Sequence, residues 1–298
     1  MGIRGSTLAS ILLEMKPAFI LLYLSSMGFL CILAAQKYMG VKVEPVNCLS
    51  FMGIIFGVYT LNRFTDTAED FTNDLGRLLF FQRQKAFLYL ACASLAASLG
   101  FLAFKDKLNW MHFLLLGMGF AYSYRLVPWY ARGTGFRLLR IKEMTFLKNL
   151  AVSFLWGASV FIVPILYSAP VLNHRGMIWL LACALFLSTL NNTLFDDILD
   201  EAGDRVAGIK TLPTVWGAGK SQLMLMALDV LWLLGVTGLY LAGNIDQSHA
   251  AFLAFMALYP FVYMSLNAQG ALSKGWVDFL SETDLLLFSV GLLLLSLR

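Results

Sequence analysis

The sequence predicts an all-α polytopic membrane protein, with nine transmembrane helices in one bundle and its long loops on the cytoplasmic side. Three observations predict it. The 298 residues are 59% hydrophobic and only 13% charged, with a mean hydropathy of +0.73; an ordinary soluble domain is roughly 45–50% apolar and about 25% charged. Nine apolar runs recur along the chain, most of them near the ~20 residues a helix needs to cross the hydrocarbon. The basic residues divide unevenly between alternate loops. A soluble globular fold and a disordered chain are both excluded.

Lys16-Pro17 opens the first run, 17–36, which is too long for the apolar segment of a cleaved signal. The residues before it, with Ile11, Leu12 and Leu13 beside Glu14 and Lys16, read as a segment lying along the interface. The second run, 48–61, is short and merges into a polar stretch. Runs 86–104 and 109–128 follow, joined by a short turn. A polar loop leads to 145–167 and 175–195, and another leads to 222–242, 249–267 and 279–297.

Of the 22 Lys and Arg residues, 16 fall on the side that carries the N-terminus and the loops after helices two, four, six and eight. That side is expected to be cytoplasmic. It holds the three long loops, 62–85, 125–144 and 196–221, so the chemistry is expected there. The net charge of +4 is small and scattered, which argues against a nucleic-acid partner. Cys31, Cys48, Cys92 and Cys183 lie in or beside apolar runs with no metal-ligand spacing and read as small buried residues. His112, His174 and His249 have no ligand spacing either and read as structural. Asp229 and Asp284 are isolated acids of the last third and stand outside the expected site. The glycosylation sequon at Asn191 falls on the cytoplasmic side and is discounted.

Half of the 18 acidic residues fall in two short windows. One holds Asp66, Glu69, Asp70 and Asp74; the other holds Asp196, Asp197, Asp200, Glu201 and Asp204. Their spacing is regular: Asn62, Asp66 and Asp70 recur every four residues, as do Asn192, Asp196, Asp200 and Asp204. Such residues stack on one helix face, where like charges repel by ~0.2–0.5 kcal/mol per pair and desolvation near hydrocarbon adds to the penalty. A divalent cation offsets both, and carboxylates with an amide oxygen are hard ligands suited to Mg2+. The windows are offset by a constant 130 residues with four helices between them, so both emerge on one side. The chain therefore reads as one domain, 1–298, of two parallel halves, about 1–145 and 146–298. Mg2+ held by few carboxylates usually takes phosphate oxygens as well. Arg63, Arg77, Arg205 and Lys210, with Arg137, Arg140 and Lys142 of the middle loop, supply counter-cations for a phosphate or diphosphate.

These motifs resemble the UbiA superfamily of intramembrane prenyltransferases. Asn62-Arg-Phe-Thr-Asp66-Thr-Ala-Glu-Asp70 matches its NxxxDxxxD, and Asp200-Glu-Ala-Gly-Asp204 with the tail Gly208-Ile-Lys210-Thr-Leu-Pro213 resembles its second acidic motif. Tyr122-Ser-Tyr124 and Arg140-Ile-Lys142-Glu resemble its basic loop between the two. The resemblance implies a bundle of nine transmembrane helices around a central cavity, a cytoplasmic cap of loops, and Mg2+-dependent transfer of an isoprenyl group. Carried over by position, Asp66, Asp70, Asp200 and Asp204 are the catalytic, Mg2+-binding acids, supported by Asn62. Asp196 joins them on periodicity alone. Asn62, Arg63, Lys142, Arg205 and Lys210 are the expected diphosphate-binding residues. Many members carry an Arg-Pro element after the first motif; here Leu78 and Leu79 follow Arg77, so no phosphate role is carried over to it.

An allylic diphosphate ionises when cations neutralise its leaving group, and an apolar core keeps water from the allylic cation. Tyr59, Phe64, Tyr122 and Phe195 lie near the motifs and are candidates to face that cation. The expected partners are an allylic polyprenyl diphosphate, membrane lipid and a hydrophobic acceptor, expected to be an aromatic quinone precursor. The alternative acceptors are a glycerophosphate-linked lipid, a porphyrin or chlorin, or a sugar phosphate. An ion-coupled transporter would place its acids near the midplane between inverted repeats, not at helix ends. The expected location is a prokaryotic cytoplasmic membrane, with the site facing the cytoplasm.

Overall fold

A computed structural model describes residues 8–131, 135–167, 175–206, 208–272 and 274–297. Its long helices form an antiparallel bundle. α1 (Leu8–Tyr38) packs on α2 (Pro45–Thr65), and two short helices, α3 (Thr67–Asn73) and α4 (Leu75–Arg83), lead to α5 (Ala86–Phe104), which returns along α2. α6 (Trp110–Ser123) ends in a hairpin of β1 (Val127–Ala131) and β2 (Gly135–Leu139), closed by a 3-10 turn at Ile141–Glu143. α7 (Leu147–Tyr167) pairs with α8 (Arg175–Leu199). Short helices α9 (Glu201–Val206) and α10 (Leu212–Trp216) then precede α11 (Ala218–Leu241) and α12 (Gln247–Ala268). The chain closes with α13 (Lys274–Glu282) and α14 (Asp284–Leu295), the latter against α1. The largest buried cluster runs through the middle of the bundle and includes Ile32, Phe161, Leu185, Leu253 and Phe288.

Every expected apolar run contains helix, but among the described residues seven helices are long and apolar enough to cross a membrane, not nine. The fourth run leaves the helix at Ser123. Pro128 disfavours helical backbone at Val127, Tyr124 is already extended (φ −116°, ψ 151°), and the predicted loop becomes a β-hairpin. At 14 residues, α6 is about 21 Å long, short of the ~30 Å hydrocarbon. The ninth run breaks at Thr283, between Glu282 and Asp284, leaving a 12-residue α14. The second run, in contrast, grows to 21 residues, because Pro45 suits the first helical turn and the polar motif is itself helical.

Of the expected interfacial segment 1–16, residues 1–7 lie outside the described residues, and the backbone of 8–16 is part of α1. Two cysteines correct the expectation of burial: Cys31 and Cys48 are buried, whereas Cys92 and Cys183 are exposed on helix surfaces. His112 closes a capping box with Asn109 at the start of α6, and His249 bridges Tyr38 (2.7 Å) and Asp246 (2.6 Å); both are structural. His174 lies outside the described residues. Asn191 is buried and donates to Asp229 at 2.7 Å, which makes it a poor glycosylation acceptor. Lys107 pairs with Glu44 at 3.4 Å, tying the α5–α6 turn to the start of α2, at the end of the bundle away from Asn62.

Candidate active site

Both acidic stretches start in the last turns of long helices, α2 and α8, and continue into short helices that pack on each other, α3 on α9. They cap a cavity of about 1060 Å3, at the upper end of the range for ligand pockets. One end is polar; the rest is lined by apolar side chains such as Phe51, Ile55, Leu155 and Trp156, with Tyr59 and Tyr122 between. Phe64 packs on Phe81 instead, 5.7 Å between ring centres, and Phe195 is fully buried against Tyr263. Among the described residues, the lining holds eight carboxylates against five Lys and Arg side chains. That excess of negative charge suits added divalent cations.

The structure places Asn62, Arg63, Asp66, Asp70, Lys142, Asp196, Asp200 and Asp204 on this one lining. Asn62 spans two helices: its amide nitrogen donates to Asp66 at 2.8 Å and its oxygen accepts from Ser123 of α6 at 3.1 Å. Asp66 is buried where α2 passes into α3 and pairs with the buried Lys142 of the 3-10 turn. Glu143 anchors that turn, accepting from the Arg140 backbone (3.1 Å) and from the Arg140 and Arg125 guanidiniums. Burial pushes the Glu143 carboxyl up, but these hydrogen bonds outweigh it and hold the group below its usual range. Arg205 and Lys210 are not on the lining. Arg205 is exposed and pairs with Glu201 at 2.5 Å, and Lys210 is exposed beyond α9.

Residues outside the expected metal and diphosphate sets also stand here. Arg77 grips Asp70 through Nε (3.0 Å) and Nη2 (2.5 Å). Burial opposes its charge, but Asp70, Asp74 and Asp200 prevail and raise its pKa. The signal was its distance from Asp70, seven residues, which the α3–α4 corner folds back. Lys148 pairs with Asp197 at 2.6 Å, and Asn149 donates to the same carboxylate at 3.0 Å. Asn73 donates to Asp204 at 2.8 Å. Burial raises the Asp204 carboxyl above its usual range despite that bond. The turn after α9 has Gly208 at φ +69°, with the Ile209 N–H on the Asp204 carbonyl at 2.8 Å. Thr211 then caps α10, so part of the Gly208–Pro213 tail has a structural role: it closes the helix that carries Asp204.

The donor set fits Mg2+ in kind. It consists of carboxylate and amide oxygens, and the buried Asp70 Oδ2 has no hydrogen-bond partner among the described residues. Among those residues, no three acids converge closely enough to share an ion as they stand; Asp66 and Asp70 are held by Lys142 and Arg77.

The sequence model of the UbiA prenyltransferase family matches residues 24–290. The chain belongs to this family. Over 100 residues it is 37% identical to a digeranylgeranylglyceryl phosphate synthase of Thermococcus sibiricus, covering 34% of this chain and 32% of that one; the match thus spans about a third of that relative. Two solved UbiA structures share the fold. One is a UbiA homologue from Aeropyrum pernix (TM-score 0.68, 15% identity, 92% of this chain and 98% of that one). The other is a UbiA homologue from Archaeoglobus fulgidus bound to DMAPP and Mg2+ (TM-score 0.60, 15% identity, 95% and 97%).

Proposed function

We propose that the protein transfers an isoprenyl group from an allylic polyprenyl diphosphate to a glycerophosphate-linked lipid within the membrane, in a Mg2+-dependent reaction. The observation that carries this reading is the meeting of two acidic motifs and Lys142 at one end of a large apolar cavity. The similarity to a digeranylgeranylglyceryl phosphate synthase favours the glycerophosphate acceptor over the aromatic one expected from the sequence. Lys16, Arg63 and Lys148 also line the cavity and offer cations to a second phosphate. Family membership sets the transporter reading aside.

In this reading Asp66, Asp70, Asp200 and Asp204, with Asn62 and Asp196, would hold Mg2+. When bound, the ion neutralises charge on the leaving diphosphate. Lys142 and Arg77, which stand beside Asp66 and Asp70 on the cavity lining, would offer cations to diphosphate oxygens. The allylic C–O bond breaks with its electron pair passing to the diphosphate. The acceptor nucleophile closes on the allylic carbon, and its proton passes to the released diphosphate. The apolar lining keeps water from that carbon, and the Tyr59 and Tyr122 rings can stabilise its positive charge. Seven long helices, with α6 and the α13–α14 pair, make nine crossings of a prokaryotic cytoplasmic membrane, in one domain of two halves. The acidic end faces the cytoplasm.

The test is transfer in vitro with Mg2+ and labelled allylic diphosphates of several lengths, offering a prenylated glycerol phosphate and an aromatic acceptor in parallel. Product on the glycerophosphate acceptor alone is expected. Product only on the aromatic acceptor would reverse the assignment.

A further inference from the structure

We infer that Asn73 is a positioning residue that joins the two acidic loops and orients Asp204 for the metal-diphosphate site; this rests on the function proposed above. Asn73 ends α3, and its Nδ2 donates to Asp204 Oδ1 at 2.8 Å, across 131 residues of sequence. The bond engages Oδ1 and leaves Oδ2 on a carboxylate that is 5% exposed and lines the cavity. An Asp at position 73 would set like charges together; the carboxamide supplies the donor without the charge.

Gly203 is the second, independent observation. It lies inside α9, where a glycine weakens a helix relative to Ala, and its φ is not in the left-handed region. What requires a glycine there is space. A Cβ at position 203 would collide with Asn73 Oδ1 and come within 2.9 Å of Asn73 Cγ. The small residue thus lets the Asn73 carboxamide seat beside Asp204, one residue on. Partners that orient metal ligands in this way typically change metal affinity by 10–100-fold.

The experiment uses the full chain in nanodiscs. It records the Mg2+ concentration that half-maximally stabilises the protein against heat in the presence of a non-hydrolysable allylic diphosphate analogue, with Mn2+ binding by electron paramagnetic resonance as a second readout. Asn73→Ala should raise both midpoints about tenfold, lowering kcat at fixed Mg2+ with little change in KM for the acceptor. Gly203→Ala, which removes no polar group, should reproduce the shift and serves if Asn73→Ala does not fold. Asn73→Ala/Gly203→Ala should be no worse than Asn73→Ala, because the collision is gone. Asp204→Asn should abolish the response. Wild-type midpoints in Asn73→Ala or Gly203→Ala, with the response lost in Asp204→Asn, would overturn the positioning role alone. Additive losses in the double variant would overturn it too. Wild-type midpoints in Asp204→Asn would overturn the metal site, and the inference with it.

Discussion

The Lys142 ammonium sits on the Asp66 carboxylate, 76 residues away in sequence, with both side chains buried. This contact brings the turn after the hairpin over the C-terminal end of α2. The middle loop thereby reaches the same end of the bundle as the two acidic loops, which Asn73 and Asp204 already join.

Removing Lys142 strands a buried carboxylate, which costs roughly 3–5 kcal/mol when one partner of a buried pair is deleted. Lys142→Ala should destabilise the protein and raise KM for the diphosphate. Lys142→Ala/Asp66→Asn should regain most of the stability and none of the activity. The exposed Arg137 of the hairpin is the control. If Arg137→Ala raised KM as much as Lys142→Ala, only the bulk charge of the loop would matter.

Asp66→Asn, Asp70→Asn, Asp200→Asn and Asp204→Asn each keep the shape of a lining residue and remove one charge from the site. Each should lower turnover by at least about 10²-fold, the scale of losing a key electrostatic contact, without unfolding the chain. Near wild-type turnover in any two of them at ordinary Mg2+ would sink the assignment.

The hairpin base should loosen in acid. The folded pKa of Glu143 lies below its ordinary value of 4.5, so its hydrogen bonds contribute stability above that value. The contribution is lost as pH falls through the depressed pKa. Solvent screening limits it to about 1 kcal/mol. Proteolysis within 125–143 should therefore quicken below about pH 4.5 in the wild type. In Glu143→Gln it should be fast and flat with pH; an unchanged acid limb in that variant would assign the loosening to another group.

Single cysteines at Phe71 and Val206, in a background lacking the four native ones, should label from the same face of sealed vesicles. Both positions are exposed on the short helices over the cavity. A cysteine at Lys105, in the turn tied to the start of α2 through Lys107 and Glu44, should label from the opposite face. Labelling of positions 71 and 206 from opposite faces would end the diphosphate proposal.

Sequence alone determined the helical class, the positions of the nine apolar runs and the two acidic motifs. Each is a local quantity: hydropathy sums along a segment, and four-residue spacing sets which side chains share a helix face. Helix ends were less legible, because Asn62 and Asn192 are polar yet helical, while α6 stops at Ser123 inside an apolar run. The tertiary structure decided which ions meet. Asp66 could have faced any of several nearby cations, yet the fold gives it Lys142, gives Asp70 Arg77, and turns Arg205 away to Glu201. It also seated Asn73 against Gly203 and Asp204. Coulomb attraction and hydrogen bonding act over a few ångströms of space, so partners separated by many residues are chosen by packing, which no spacing along the chain encodes.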